Sequence, residues 1–131
     1  MINARNELQE ELETIQAKLV CADITREIYD VLEGAYVDID IRLHVGYSEE
    51  EYTVFLTALD FDYGNGFGSQ ELFGTVWFDN STWLSRNEYD GSEWWEWNQY
   101  PAIPEHLSQE TPELDEEFQQ SLVDNFKKFK V

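Results

Sequence analysis

The sequence predicts an α+β fold: an antiparallel sheet of about 4–5 strands with N-terminal, middle and C-terminal helices packed on it. Three observations carry this. Apolar and polar residues alternate strictly from Tyr36 to Val45. A block from Phe73 to Tyr100 carries two turn signals between β-favouring runs. Amphipathic helical stripes with capping residues stand near both ends and in the middle of the chain. The expected order is α–β–β–α–β–β–β–α, read as one domain over residues 1–131, with the first helix as a candidate appendage.

Leu8, Leu12, Ile15 and Leu19 recur at helical spacing among Glu7, Glu10, Glu11 and Glu13, predicting an amphipathic helix over residues 3–18. Its stripe can pack on the sheet of a monomer or pair two chains. Residues 19–30 read as a strand ending near Gly34, although Ile24, Ile28 and Leu32 also fit a helical stripe. From Tyr36, the residues Val37, Ile39, Ile41, Leu43 and Val45 form the expected inner face of a half-buried strand, with His44 outside. Ser48 and Glu51 make a capping box, opening a helix that buries Tyr52, Phe55, Leu56 and Leu59. A glycine-rich connection follows, Asp60 to Glu71. Phe73–Phe78 and Thr82–Tyr89 should form a hairpin about Asp79-Asn80, and Asp90-Gly91 should turn the chain into a third strand over Glu93–Asn98. Pro101 and Pro104 stop that strand. Thr111-Pro112 opens a last helix with the stripe Leu114, Phe118, Leu122, Phe126 and Phe129.

Composition narrows the function. At 131 residues the chain can bury a real core, and 42% hydrophobic content argues against disorder despite the charge. No apolar run spans a membrane, and the acidic N-terminus is not expected to be a secretory signal. The lone Cys21 suits a reducing cytoplasm and reads as a small apolar side chain. Net charge is −20, and from Leu43 to Phe126 eighteen acidic residues face Arg86 alone. Such a chain repels nucleic acid and anionic lipid and attracts basic proteins. The same acidity would also serve plain solubility.

The motifs point away from an enzyme and from any bound cofactor. Asp60, Asp62 and Glu71 fall at positions one, three and twelve of a calcium loop, but Gly64 and Asn65 occupy positions where an acid or Asn and then Gly are required. His44, His106 and Cys21 lack zinc-site spacing, and no nucleophile elbow occurs. Glu93 and Glu96 beside tryptophans suggest a sugar site, yet an odd separation sends them to opposite faces of a strand. The same alternation splits Trp94 from Trp95. If Trp95 and Trp97 face inward, Glu93 follows them and needs a buried partner, for which Arg86 is the obvious choice.

The segments GYSEEEY, LDFDYGNGFGSQELFGTVWF and EYDGSEWWEW…PAIPEHL, between Gly46 and Leu107, resemble a pattern in small acidic proteins of phages and other mobile elements. About half the chain is covered, with the DGSEWWE block the most distinctive part; Asn87 stands before EYD where a glycine is usual. The resemblance implies a viral or mobile-element origin and supplies no mechanism. The expected function is therefore a cytoplasmic binding protein that inhibits a basic, nucleic-acid-binding host protein, an anti-defence role such as anti-CRISPR or anti-restriction, by mimicry of nucleic acid charge. Asp79, Glu88, Asp90, Glu93, Trp94 and Glu96 are the candidate contacts. Direct nucleic acid and membrane binding are not expected. The alternatives are a pocket for a nucleotide, sugar or calcium built on the aromatic block, and an accessory phage protein without mimicry.

Overall fold

A computed structural model describes residues 1–66, 68–108, 120 and 124. Among these residues it is an α+β fold with a five-stranded antiparallel sheet, a two-stranded sheet and three helical elements, near the N-terminus, the middle and the C-terminus. The described elements run β1 (Ile2–Asn3), α1 (Ala4–Thr14), β2 (Leu19–Asp30), β3 (Ala35–Leu43), α2 (Glu49–Ala58), β4 (Asp62–Tyr63), β5 (Leu72–Phe78), β6 (Thr82–Tyr89), β7 (Ser92–Gln99) and α3 (Glu105–Ser108). The large sheet has the order β3-β2-β5-β6-β7, and β1 pairs with β4. Contacts divide the chain into two units, Met1–Tyr100 and Pro101–Val131. In the second unit α3 is a single turn, with Leu107 N–H donating to Pro104 C=O at 2.8 Å. The helix expected from Thr111-Pro112 lies outside the described residues.

The first helix is shorter than its stripe suggests. Asn3 caps it by accepting the Asn6 N–H at 3.0 Å, and the chain turns extended at Ile15. Leu19 therefore belongs to β2 rather than to the helix. Ala4 and Leu8 are fully buried, while Leu12 and Ile15 pack against the core, so α1 is integral to the fold. The Ser48 capping box forms in full: Ser48 Oγ accepts the Glu51 N–H at 3.1 Å, and Glu51 Oε1 accepts the Ser48 N–H at 3.4 Å. It starts α2, which buries Phe55, with Leu59 just past its end; Tyr52 and Leu56 are half-buried.

Both helices lie on one face of the sheet. Ala4, Leu8, Phe55 and Leu59 share a single core with Ala22, Ile24, Ile41, Leu43, Val76, Leu84 and Trp95. Two expectations need correction here. Of the inner face foreseen for β3, only Ile41 and Leu43 are buried, whereas Val37, Ile39 and Val45 are exposed. The cause is register: the β2–β5 pairing ends at Arg26 opposite Leu72, with one further bond from Glu27 N–H to Glu71 C=O at 2.8 Å. Residues 28–37 therefore extend as a two-stranded arm past the core, and Ile39, opposite Arg26, stands at its base. Val45 lies beyond the end of the strand. In the β5–β6 hairpin the positive φ, +66°, falls on Ser81 rather than on Asp79 or Asn80. The Asn80 side chain accepts the Thr82 N–H at 3.3 Å, which sets that turn.

Gly74 marks a close approach. Its φ is +138°, and a Cβ there would sit 2.2 Å from the Asp23 carbonyl oxygen across the ladder. Only glycine lets β5 lie this close to β2.

Candidate functional site

The Asp90-Gly91 turn decides how the aromatic block is displayed. Both residues have positive φ, +49° and +85°, as a type I′ hairpin turn requires. It sets the register Glu88 with Glu93, Arg86 with Trp95, Ser85 with Glu96 and Leu84 with Trp97. Side chains opposite each other share a face. Glu93, Trp95 and Trp97 thus lie on the helix-covered side, and Trp94, Glu96 and Asn98 on the other.

On the covered side Glu93 is 2% exposed and sits in a buried ionic cluster. Its Oε1 accepts from Arg86 Nη2 at 2.6 Å, and its two oxygens accept the Glu71 and Leu72 N–H groups at 2.8 and 3.1 Å. Arg86 also donates to Glu7 at 3.0 Å and to the Tyr63 hydroxyl at 2.8 Å, and Tyr63 donates to Glu7. The guanidinium lies 5.0 Å from the Trp95 ring centroid. Burial alone would lower the Arg86 pKa, but Glu7, Tyr63 and Glu93 outweigh it and hold the group above its ordinary value. Burial, followed by the bond to Glu7, pushes the Tyr63 hydroxyl well above its ordinary value. Arg86 Nε and Trp95 Nε1 have no partner among the described residues. With both terminal nitrogens of Arg86 bonded, to Glu7, Glu93 and the tyrosine, this cluster ties α1, β4, β6, β7 and the start of β5 together. Its chemistry is structural.

The opposite face carries no helix of the Met1–Tyr100 unit. Strand register places on it Arg42, Asp40, Asp38 and Tyr36 of β3; Cys21, Asp23, Thr25, Glu27 and Tyr29 of β2; Phe73, Thr75 and Trp77 of β5; Trp83, Ser85 and Asn87 of β6; and Trp94 and Glu96 of β7. Phe73, Trp77 and Trp94 are all exposed. Arg42 pairs with Asp23 at 3.2 Å and with Asp40 at 3.5 Å, both on the surface. The remaining carboxylates of the face, Glu27, Asp38 and Glu96, have no ion-pair partner among the described residues. Rigid rings at the centre and carboxylates at both flanks therefore make one continuous surface.

The six candidate contacts divide accordingly. Trp94 and Glu96 stand together on the open face. Glu93 is inside the cluster and cannot touch a partner in this conformation. Glu88 is exposed on the inner side, where it accepts the Gly91 N–H at 2.8 Å, and Asp90 is at the turn. Asp79 lies at the other end of β6, about 25 Å away at the usual strand rise, and accepts the Lys18 N–H at 3.0 Å. Alternation and turn signals could have shown that Asp23, Asp40 and Trp77 join this face, but only with the strand order in hand.

The calcium candidates are engaged otherwise. Asp60 and Asp62 both accept from the Asn3 side chain, at 2.9 and 3.2 Å, and Asp60 pairs with Arg5 at 3.3 Å. Asp62 is in a strand, not a loop. Burial raises the Glu71 pKa, against the pull of Arg26. Among the described residues no group of three potential ligands could hold a metal ion, and no helix is long and apolar enough to cross a membrane. No family model, curated protein or solved structure matches the chain.

Proposed function

We propose that the chain is an acidic binding protein that docks on the cationic, nucleic-acid-binding surface of a host protein and blocks it, an anti-defence activity of the kind that would inhibit CRISPR or restriction complexes. The supporting observation is the open sheet face, where Asp38, Asp40, Asp23 and Glu96 flank the exposed rings of Phe73, Trp77 and Trp94. Carboxylates on a rigid sheet can occupy positions that phosphates take on a basic groove, and indoles can anchor the contact. A net charge of −20 steers a basic partner toward this face from a distance.

The test is capture from a host lysate on the immobilised chain at about 0.1 M salt, followed by a wash at about 1 M, where screening shortens from ~10 to ~3 Å. The expected result is a basic, nucleic-acid-binding protein that elutes with salt and that DNA displaces. Asp40→Asn with Glu96→Gln and Trp94→Ala should weaken that capture at least tenfold. Recovery of no such protein, or capture indifferent to salt, rules the mimic out.

A further inference from the structure

Among the described residues β7 is the last strand of the five-stranded sheet, with β6 on one side and no strand on the other. The type I′ turn makes Tyr89 and Ser92 a hydrogen-bonded pair, so Asn87–Trp94, Ser85–Glu96 and Trp83–Asn98 are hydrogen-bonded pairs as well. The alternate residues Glu93, Trp95, Trp97 and Gln99 then point N–H and C=O away from β6. The structure bears out this parity at one end, where Glu93 N–H donates outward to Asn65 C=O at 2.8 Å. Beyond it, the outward backbone groups of Trp95, Trp97 and Gln99 have no partner among the described residues.

Natural edges are blunted by lysines, prolines, bulges or short length. The eight residues Ser92–Gln99 have no lysine, proline or bulge, and their two charged side chains are both acidic: Glu93, turned inward onto Arg86, and Glu96 on the other face. The opposite edge, β3, presents Asp38, Asp40 and Arg42 along its length. A side-chain site adjoins the β7 edge. Trp97, 45% exposed, forms a wall of an open groove of about 410 Å³ with Glu11, Thr14, Ile15, Gln16 and Asn80. A residue added opposite Trp97 would place its side chain on this same face, along Trp97 and Ile15 with Glu11 at hand. Its neighbours in sequence would stand opposite Glu96 and Asn98, on the other side.

We propose that β7 binds an extended, basic segment of the partner protein by strand addition, with an arginine or lysine lying in the Trp97 groove. A long cationic side chain matches both features of the groove: its stem covers the indole and its head reaches Glu11. Charge also selects this occupant over a second copy, since two chains of net charge −20 repel. The inference rests on the proposed function only in taking the partner to be basic.

The test uses the whole chain and a capped heptapeptide of alternating arginine and valine. Saturable quenching or a shift of tryptophan emission is expected, with slowed amide exchange at Trp95, Trp97 and Gln99 and little change at Trp94 and Glu96. Only alternate amides of an added strand face β7, so N-methylation of the peptide in one frame should abolish binding and in the other should leave it. Gln99→Pro, which removes an outward donor without breaking the β6 ladder, and Trp97→Ala should each lower affinity at least tenfold. The glutamate–valine peptide should not bind. Absence of binding, equal binding of the two N-methylated frames or of the acidic peptide, or protection confined to β2 and β5 overturns the strand-addition site. Because the peptide needs no lysate partner, this failure is separable from a failed capture: peptide addition with no basic protein recovered would sink the inhibitor and keep the edge.

Discussion

Trp94 and Trp95 are neighbours in the chain and have opposite fates: Trp95 is 5% exposed and Trp94 39%. Glu93 and Glu96, on the same strand, differ in the same way, one locked to Arg86 and the other facing outward. Nothing intrinsic separates the two indoles or the two carboxylates. The pleat sends them to opposite faces, and α1 and α2 cover only one of these. A residue type therefore acquires its role from what stands over its side of the sheet. On the inner side acidity is neutralised and spent on holding elements together. On the outer side Asp23 and Asp40 share one surface cation, Arg42, and Glu27, Asp38 and Glu96 are left as long-range field.

Substitutions that contrast the two sides should separate cleanly. Arg86→Ala strands Glu93 and Glu7 as buried charges and should cost about 3–5 kcal/mol in urea unfolding. Trp95→Ala should cost a similar ~3–5 kcal/mol, while Trp94→Ala should cost less than about 1 kcal/mol. Equal losses at 94 and 95 would dissolve the contrast. Gly74→Ala should cost about 2 kcal/mol, because its Cβ would meet backbone rather than a side chain that can swing away.

The smallest effect concerns pH. Glu11 has a pKa raised by burial and by Glu7 and Glu10, so its folded form holds a proton more readily than the unfolded chain. Its contribution is fully present below the ordinary carboxylate value of 4.5 and is lost as pH rises through the raised value. Glu11→Gln should therefore raise Tm at pH 7 by about 2 °C, and the gain should vanish near pH 4. A Tm unchanged at pH 7, or a gain that persists in acid, would show that Glu11 is not under strain in the fold.

Much of the strand layout was legible from local signals. The 19–30 strand, the Ser48 capping box and the Asp90-Gly91 turn all depend on residues close in sequence, and each forms as read. Arg86 could be matched to Glu93 because a two-residue hairpin fixes their proximity. Its other partners, Glu7 and Tyr63, lie 79 and 23 residues away, and no local pattern announces them. The pairing of β1 with β4 was hidden for the same reason, since two-residue strands carry no periodicity. The exposure of Val37 and Ile39 was misread because alternation reports that a strand has two faces, not that a neighbour covers one of them.

Periodicity, caps, turns and net charge are properties of short stretches and of composition, and they sufficed for an acidic α+β chain with an antiparallel aromatic meander. Which face of that meander the helices cover, where the arm outruns the core and which strands end the sheet depend on strand order and helix placement. Those follow from contacts between distant segments, whose energies are settled only when the whole core packs.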